Sequence, residues 1–135
     1  MKYIFSKIEQ NTLLHLINLL SDVNNRTNVC PSEEFLQLAT LQMQKGQTFK
    51  AHKHIYKNGP PNIIAQESWV VIRGRVKVFF YDLDDTLVEE HILYPGDCSV
   101  TFRGGHNYEI LENDTIVYEY KTGPYHGIEM DKTFI

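Results

Sequence analysis

In the first part of the chain, apolar residues recur at spacings near three and four: Ile4, Ile8, Leu13, Leu16, Ile17 and Leu20. That spacing predicts an amphipathic helix over about residues 4–20, which Asn11-Thr12 could divide in two by capping a second helix. His15, set among leucines, reads as a helix residue and not a ligand. Residues 22–32, DVNNRTNVCPS, are turn formers and read as a loop.

Beyond that loop the pattern changes. EFLQLATLQMQ (34–44) mixes aliphatic residues with Gln and Thr as a strand buried mainly on one face would. Lys45-Gly46-Gln47 supplies a turn, and residues 48–54 read as a second strand. Asn58-Gly59-Pro60-Pro61 continues neither a helix nor a central strand and is read as a loop. Two β-rich runs follow on either side of Asp82-Leu83-Asp84-Asp85, the pattern of a hairpin. This acidic turn lacks the length and distal glutamate of an EF-hand. Pro95-Gly96-Asp97 turns the chain again, and short strands are expected at 99–102, 108–111 and 115–121, the last two joined by Glu112-Asn113-Asp114. The tail, KTGPYHGIEMDKTFI, reads as a coil over the surface. Short strands separated by glycine or proline turns predict an antiparallel sandwich or barrel, with the helix packed outside it or on a partner subunit.

Composition narrows the class. The chain has 135 residues, 42% of them hydrophobic and 22% charged, which suits one soluble globular domain able to bury a core without staples. We read residues 1–30 as a helical extension and 31–135 as the β-barrel. A net charge of −4 gives no reason to expect nucleic-acid binding. No signal-peptide core and no membrane-spanning run is present, so a cytoplasmic, membrane-free protein is expected. Cys30 and Cys98 are too few for a disulfide framework and are read as packing residues.

The candidate chemistry sits between Gly46 and Gly74. Successive side chains of a strand point to opposite faces, so His52 and His54 share one face, with Lys53 on the other. Two imidazoles on one strand make half a metal site. Glu67 could add a carboxylate and His106 a third imidazole. Gln66 competes with Glu67, because strand register decides which of the two points inward. His91 and His126 are read as surface residues.

These residues resemble the cupin superfamily, whose first motif is written G-x5-H-x-H-x3,4-E-x6-G. Gly46, His52-Lys53-His54, Glu67 and Gly74 match it at both ends, but twelve residues separate His54 from Glu67 where the family has three or four. An insertion between two strands accounts for the excess. The second motif, G-x5-P-x-G-x2-H-x3-N, is approached by Gly96, by Phe102 in the proline's place, and by Gly104-Gly105-His106 with the histidine one residue early; Ile110 stands nearest the asparagine.

The resemblance implies an all-β fold: a cupin-like double-stranded β-helix, or jelly-roll barrel, with an added N-terminal α-helix. It implies one divalent transition metal (Fe, Zn, Mn or Ni) held by His52, His54, Glu67 and His106. Three imidazoles and a carboxylate leave positions open for water or substrate. Trp69 and Val71 share a face with Glu67 and could wall the pocket. Phe79, Tyr81, Tyr118 and Tyr120 are candidates to line it, and Tyr108, Tyr118, Tyr120 or Glu119 to move a proton. Arg73, Arg103 and Lys121 are the cations placed to meet an anionic substrate. The expected function is metal-dependent isomerisation or oxygen chemistry on a sugar, sugar nucleotide or other small polar molecule, or else non-catalytic ligand binding. The C-terminal YEYKTGPYHGIEMDK is similar to tails of small cupins associated with polysaccharide biosynthesis. A homodimer paired through sheet edges is expected.

Overall fold

The computed structural model of the chain describes residues 1–57 and 63–135. The loop expected at 58–61 lies outside them. Fourteen strands are described: β1 (Lys2–Phe5), β2 (Leu13–Ile17), β3 (Arg26–Asn28), β4 (Leu36–Met43), β5 (His52–His54), β6 (Tyr56–Lys57), β7 (Ile63–Ile64), β8 (Glu67–Arg73), β9 (Val76–Tyr81), β10 (Leu87–Leu93), β11 (Cys98–Thr101), β12 (Gly105–Ile110), β13 (Thr115–Thr122) and β14 (Lys132–Phe134). Two five-stranded sheets carry the fold, in the orders β10-β9-β12-β5-β14 and β11-β8-β13-β4-β3. Their pairings are antiparallel. No helix among the described residues is long and apolar enough to cross a membrane.

Alternation along the strands builds the core. On β8, Glu67, Trp69 and Val71 are buried, whereas Ser68, Val70 and Ile72 are only partly so. Across the gap Val76 and Val78 of β9 and Tyr108 and Ile110 of β12 meet Trp69 and Val71, together with Ala39, Leu41 and Met43 of β4 and Val117 of β13. Each large aliphatic side chain buried there contributes about 1.5–3 kcal/mol. This dry layer anchors one part of the sandwich; polar groups gather beside it. Gly74 turns β8 into β9 at φ +84°, and a Cβ there would stand 2.1 Å from Thr115 Oγ1, so both conformation and space require glycine. Gly104 is held likewise: at φ +80° its Cβ would fall 2.5 Å from the Tyr81 carbonyl oxygen.

The N-terminal helix expected over 4–20 is not there. β1 and β2 form a separate antiparallel hairpin in its place, followed by a 3-10 turn at Leu20–Asp22. The reason is local. Ser6 Oγ accepts from the amides of Ile8 and Glu9, offering the backbone an alternative to helical bonding, and Asn11 sits at φ +63°, which no right-handed helix contains. The loop expected at 22–32 contains β3, which pairs with β4, so the sheet begins at Arg26, before the expected boundary at residue 31. The tail is not all coil either: β14 pairs with the histidine strand β5. His15, His91, His126 and Cys98 are exposed and Cys30 is half-buried, so Cys98 is not the packing residue expected.

Candidate metal centre

The site lies where the two sheets face each other at the polar end of the core. His52 and His54 project from β5 on the same face, and His106 of the neighbouring β12 stands directly across from His52. Glu67 comes from the opposite sheet, at the start of β8, opposite Lys121 of β13. All four side chains are buried, and one donor atom from each lies within 4.8 Å of the others. The imidazoles are tightly gathered, with ring centroids 4.5 Å apart for His52 and His106 and 5.5 Å for His54 and His106. The register settles the competition at the mouth of β8: Glu67 points in and Gln66 is exposed.

Hydrogen bonds orient each ligand candidate. Glu67 Oε1 receives Trp69 Nε1 at 3.1 Å and faces His106 Nε2 at 3.1 Å; its Oε2 faces His54 Nε2 at 3.3 Å. His52 Nδ1 donates to the Lys50 carbonyl at 3.0 Å, leaving its Nε2 lone pair on the cluster side. His54 Nδ1 lies 3.3 Å from both the carbonyl oxygen and Oδ2 of Asp131. His106 Nδ1, fully buried, has no hydrogen-bond partner among the described residues. Thus Nε2 of every imidazole turns to the cluster, and the Nδ1 atoms of His52 and His54 are held from behind, an arrangement that fixes metal-ligating histidines.

The charges of this environment pull the histidines apart. Burial pushes His52 down to about 4, with His106 and Lys132 adding to the effect. Burial would also lower His54, but its hydrogen bonds to Asp131 and Glu67 overcome this and raise it to about 9. Burial opposes ionisation of Glu67 as well, yet His106 and His54 hold its carboxyl well below the usual carboxylate range. Asp131 is likewise lowered to about 2 against its burial, by His54 and Lys121. A buried carboxylate without such partners would cost several kcal/mol.

The donor set fits a transition metal. Nitrogen and oxygen ligands at about 2.0–2.2 Å from one ion lie roughly 3–4.3 Å apart depending on the angle between them, so donors within 4.8 Å of one another have to draw somewhat closer to share one ion. Neither cysteine belongs to the cluster, whose chemistry is that of imidazole and carboxylate, suited to Zn, Fe, Mn or Ni.

A cavity of about 210 Å³ opens beside the cluster, lined by His52, Glu67, Trp69, Tyr108, Phe49, Glu119, Lys121, Arg26 and Lys132 among others. Trp69 lines it, stacked on Tyr108 with ring centroids 3.9 Å apart and met edge-on by Phe49. The Tyr108 hydroxyl is 3.0 Å from Ser99 Oγ, and burial raises its pKa far beyond the physiological range. Of the groups expected to line the pocket, Lys121 and Trp69 do so. Tyr118 and Tyr120 do not: they pair with Val70 and Ser68 on the outer face of the sheet, whereas Glu119 and Lys121 alternate inward. The same parity turns Phe79 and Tyr81 outward, while Val76, Val78 and Phe80 face the core. Arg73 shares the parity of Glu67 but sits exposed at the other end of β8, bonded to the Asp114 carbonyl. Arg103 lines a separate surface depression with Tyr81 and Phe102.

Four residues at the site were not anticipated. Arg26 of β3 grips Glu119 with both terminal nitrogens, at 3.1 and 2.6 Å. Asp131, almost fully buried, binds Lys121 at 3.0 Å and stands 3.7 Å from Lys57. Lys132 Nζ is 3.2 Å from His52 Nε2. Phe49 precedes the histidine strand. The signal for Asp131 and Lys132 was slight: a Lys-Thr-Phe run is only three residues long, and its place beside β5 is set by long-range pairing.

No family model matches the sequence, and no curated protein matches it either. Solved structures do match. KdgF from Halomonas sp. is 20% identical with a TM-score of 0.58, over 75% of this chain and 80% of that one. CapF, solved with the inhibitor 3-isopropenyl-tropolone, is 18% identical with a TM-score of 0.67; 93% of this chain is covered but only 35% of CapF, so the chain spans about a third of that protein. A protein with a double-stranded β-helix domain from Klebsiella pneumoniae subsp. pneumoniae is 13% identical with a TM-score of 0.57, over 87% of this chain and 89% of that one. At these identities the likeness is one of fold.

Proposed function

Taking the cupin fold as the premise, we propose that this chain holds one divalent transition metal on His52, His54, Glu67 and His106 and uses it to bind and turn over a small polar molecule. The single observation that carries the reading is the convergence of four buried donors from three strands of two sheets. Such a metal, when bound, supplies Lewis-acid polarisation of a carbonyl or enediolate oxygen. The chain's own residues supply the rest. Trp69 and Tyr108 present a flat apolar wall to the cavity, and Trp69 Nε1 keeps Glu67 turned toward the histidines. Tyr108 stays protonated and, with its pKa raised by burial, serves as a hydrogen-bonding group and not as an acid or base. Glu119 is the carboxylate that faces the cavity without belonging to the cluster, and so takes the role of base, positioned by Arg26.

A sugar or sugar derivative is the favoured substrate class. CapF is described as a capsular polysaccharide assembling protein in Staphylococcus aureus, and the tail of this chain is similar to those of small cupins of polysaccharide biosynthesis. A second reading has its own support: Arg26 neutralises Glu119 and Ser99 engages Tyr108, so each of these cavity groups is already held, as a purely binding module would allow. Pairing of two copies through the exposed edges β10 and β11 completes the proposal.

The test is a thermal-shift screen of metal-loaded protein against monosaccharides, sugar nucleotides and small 2-oxo acids, followed by proton NMR of each hit. Conversion of a hit, lost in Glu119→Gln, supports the enzyme reading. A hit that is bound but never converted favours the binding module, and no hit at all on loaded protein contradicts both.

A further inference from the structure

The cations around the cavity differ in what they hold. Arg26 is committed to Glu119, and Lys121 to Asp131 while lying 4.3 Å over the Tyr125 ring. Lys132 has no carboxylate within 4.0 Å among the described residues, and its ammonium makes one hydrogen bond, to His52 Nε2 at 3.2 Å. Because His52 Nδ1 donates to the Lys50 carbonyl, that Nε2 is the lone pair which a metal would take. β14 fixes the geometry: Lys132 pairs with His54 of β5 and therefore leans over the same face.

We infer that the small molecule taken by this site is an acid, and that Lys132 binds its carboxylate beside the metal-binding oxygen. This rests on the metal reading above. Once His52 Nε2 serves a metal, it cannot accept from Lys132, and the ammonium stands close to a second cation with its hydrogen bond gone. Every carboxylate nearby is already engaged: Glu67 by the histidines and Trp69, Glu119 by Arg26, Asp131 by Lys121 and His54. The acceptor has to arrive with the ligand. In a half-buried position an ammonium–carboxylate contact is stronger than one in open water, so it selects as well as binds. The enclosed volume, about 210 Å³, is below the roughly 300–1,000 Å³ of pockets that engulf drug-sized ligands, so what it encloses is a small acid or the acid end of a larger one.

Cobalt(II)-loaded protein gives the test, with the metal's visible absorption as the readout and glycolate and glycolamide as matched probes that differ in charge. Replacing Lys132 by Gln should weaken glycolate roughly ten-fold, the factor one charge-assisted hydrogen bond supplies, and leave glycolamide unchanged, while Lys132→Arg keeps most of the glycolate affinity. Lys132→Met, of similar length, replaces the Gln variant if that one does not load. Equal glycolate binding by the neutral variant and the parent overturns this inference alone. Absence of any cobalt spectrum in the parent overturns the metal reading, and this inference with it.

Discussion

Stripping the metal should give the protein a bell-shaped dependence of stability on pH, with its maximum near 6.5, and restoring the metal should remove one side of the bell. His54 titrates at about 9 in the folded chain against 6.5 when unfolded. Its folded pKa is raised, so its contribution is fully present below 6.5 and is lost as the pH climbs through 9. The separation between 6.5 and about 9 corresponds to about 3 kcal/mol. His52 works in the other direction. Its folded pKa is lowered to about 4, so between 6.5 and 4 the unfolded chain takes up a proton that the folded chain refuses, and stability falls as the pH falls. Lowered Glu67 and Asp131 add to the acid limb below their unfolded values. For a domain of this size about 3 kcal/mol shifts the melting temperature by on the order of 10 °C. Differential scanning calorimetry of chelator-treated protein from pH 4 to 10 measures both limbs. A metal ion on His54 Nε2 excludes the imidazolium, so the loaded protein should lose the alkaline limb that the stripped protein shows between 7 and 9. The same alkaline limb with and without metal would refute the assignment of His54 as a ligand.

Three further changes separate the parts of the site. Trp69→Phe keeps a ring on Tyr108 but deletes the hydrogen bond to Glu67 Oε1, and should weaken metal binding about ten-fold or more in a competitive chelator titration. Gly74→Ala forces a Cβ against Thr115 Oγ1 at positive φ and should cost about 1–3 kcal/mol or more in urea unfolding, without altering metal stoichiometry. Tyr118→Phe and Tyr120→Phe lie on the outer face, and the double variant should match the parent in metal content and in binding of any ligand found; a loss in either would mean that β13 does not pair Tyr118 with Val70 and Tyr120 with Ser68.

His52 and His54 could be paired from the sequence because strand alternation is a local fact, whereas Glu67 and His106 came from the family resemblance, with Gln66 as a rival. Two histidines one residue apart on a strand must share a face, and Gly74 closes the motif where a side chain would strike Thr115. Alternation also placed Trp69 and Val71 beside Glu67. It could not say where along a strand the sandwich ends, which is why Arg73 has the right parity and the wrong place. Phe79 and Tyr81 were misplaced for a related reason, since the end of β9 is aromatic on both faces; Tyr118 and Tyr120 were misplaced because the charged Glu119 and Lys121 take the inner face of β13, the reverse of the usual pattern. The N-terminal helix failed because spacings of three and four among few apolar residues also arise by chance in a hairpin, and Ser6 and Asn11 decide for the turn. Asp131 and Lys132 reach the site only through the long-range pairing of β14 with β5, and Arg26, on a strand read as loop, through a contact with Glu119 of β13 far along the chain, neither of which a local pattern announces.

Elemental analysis of protein purified without chelator, run beside His52→Ala, tests the central claim most directly. The parent should carry close to one equivalent of a single transition metal per chain, and a variant that remains folded by circular dichroism almost none. A folded parent without metal, or a His52→Ala variant that keeps its full complement, would contradict that claim.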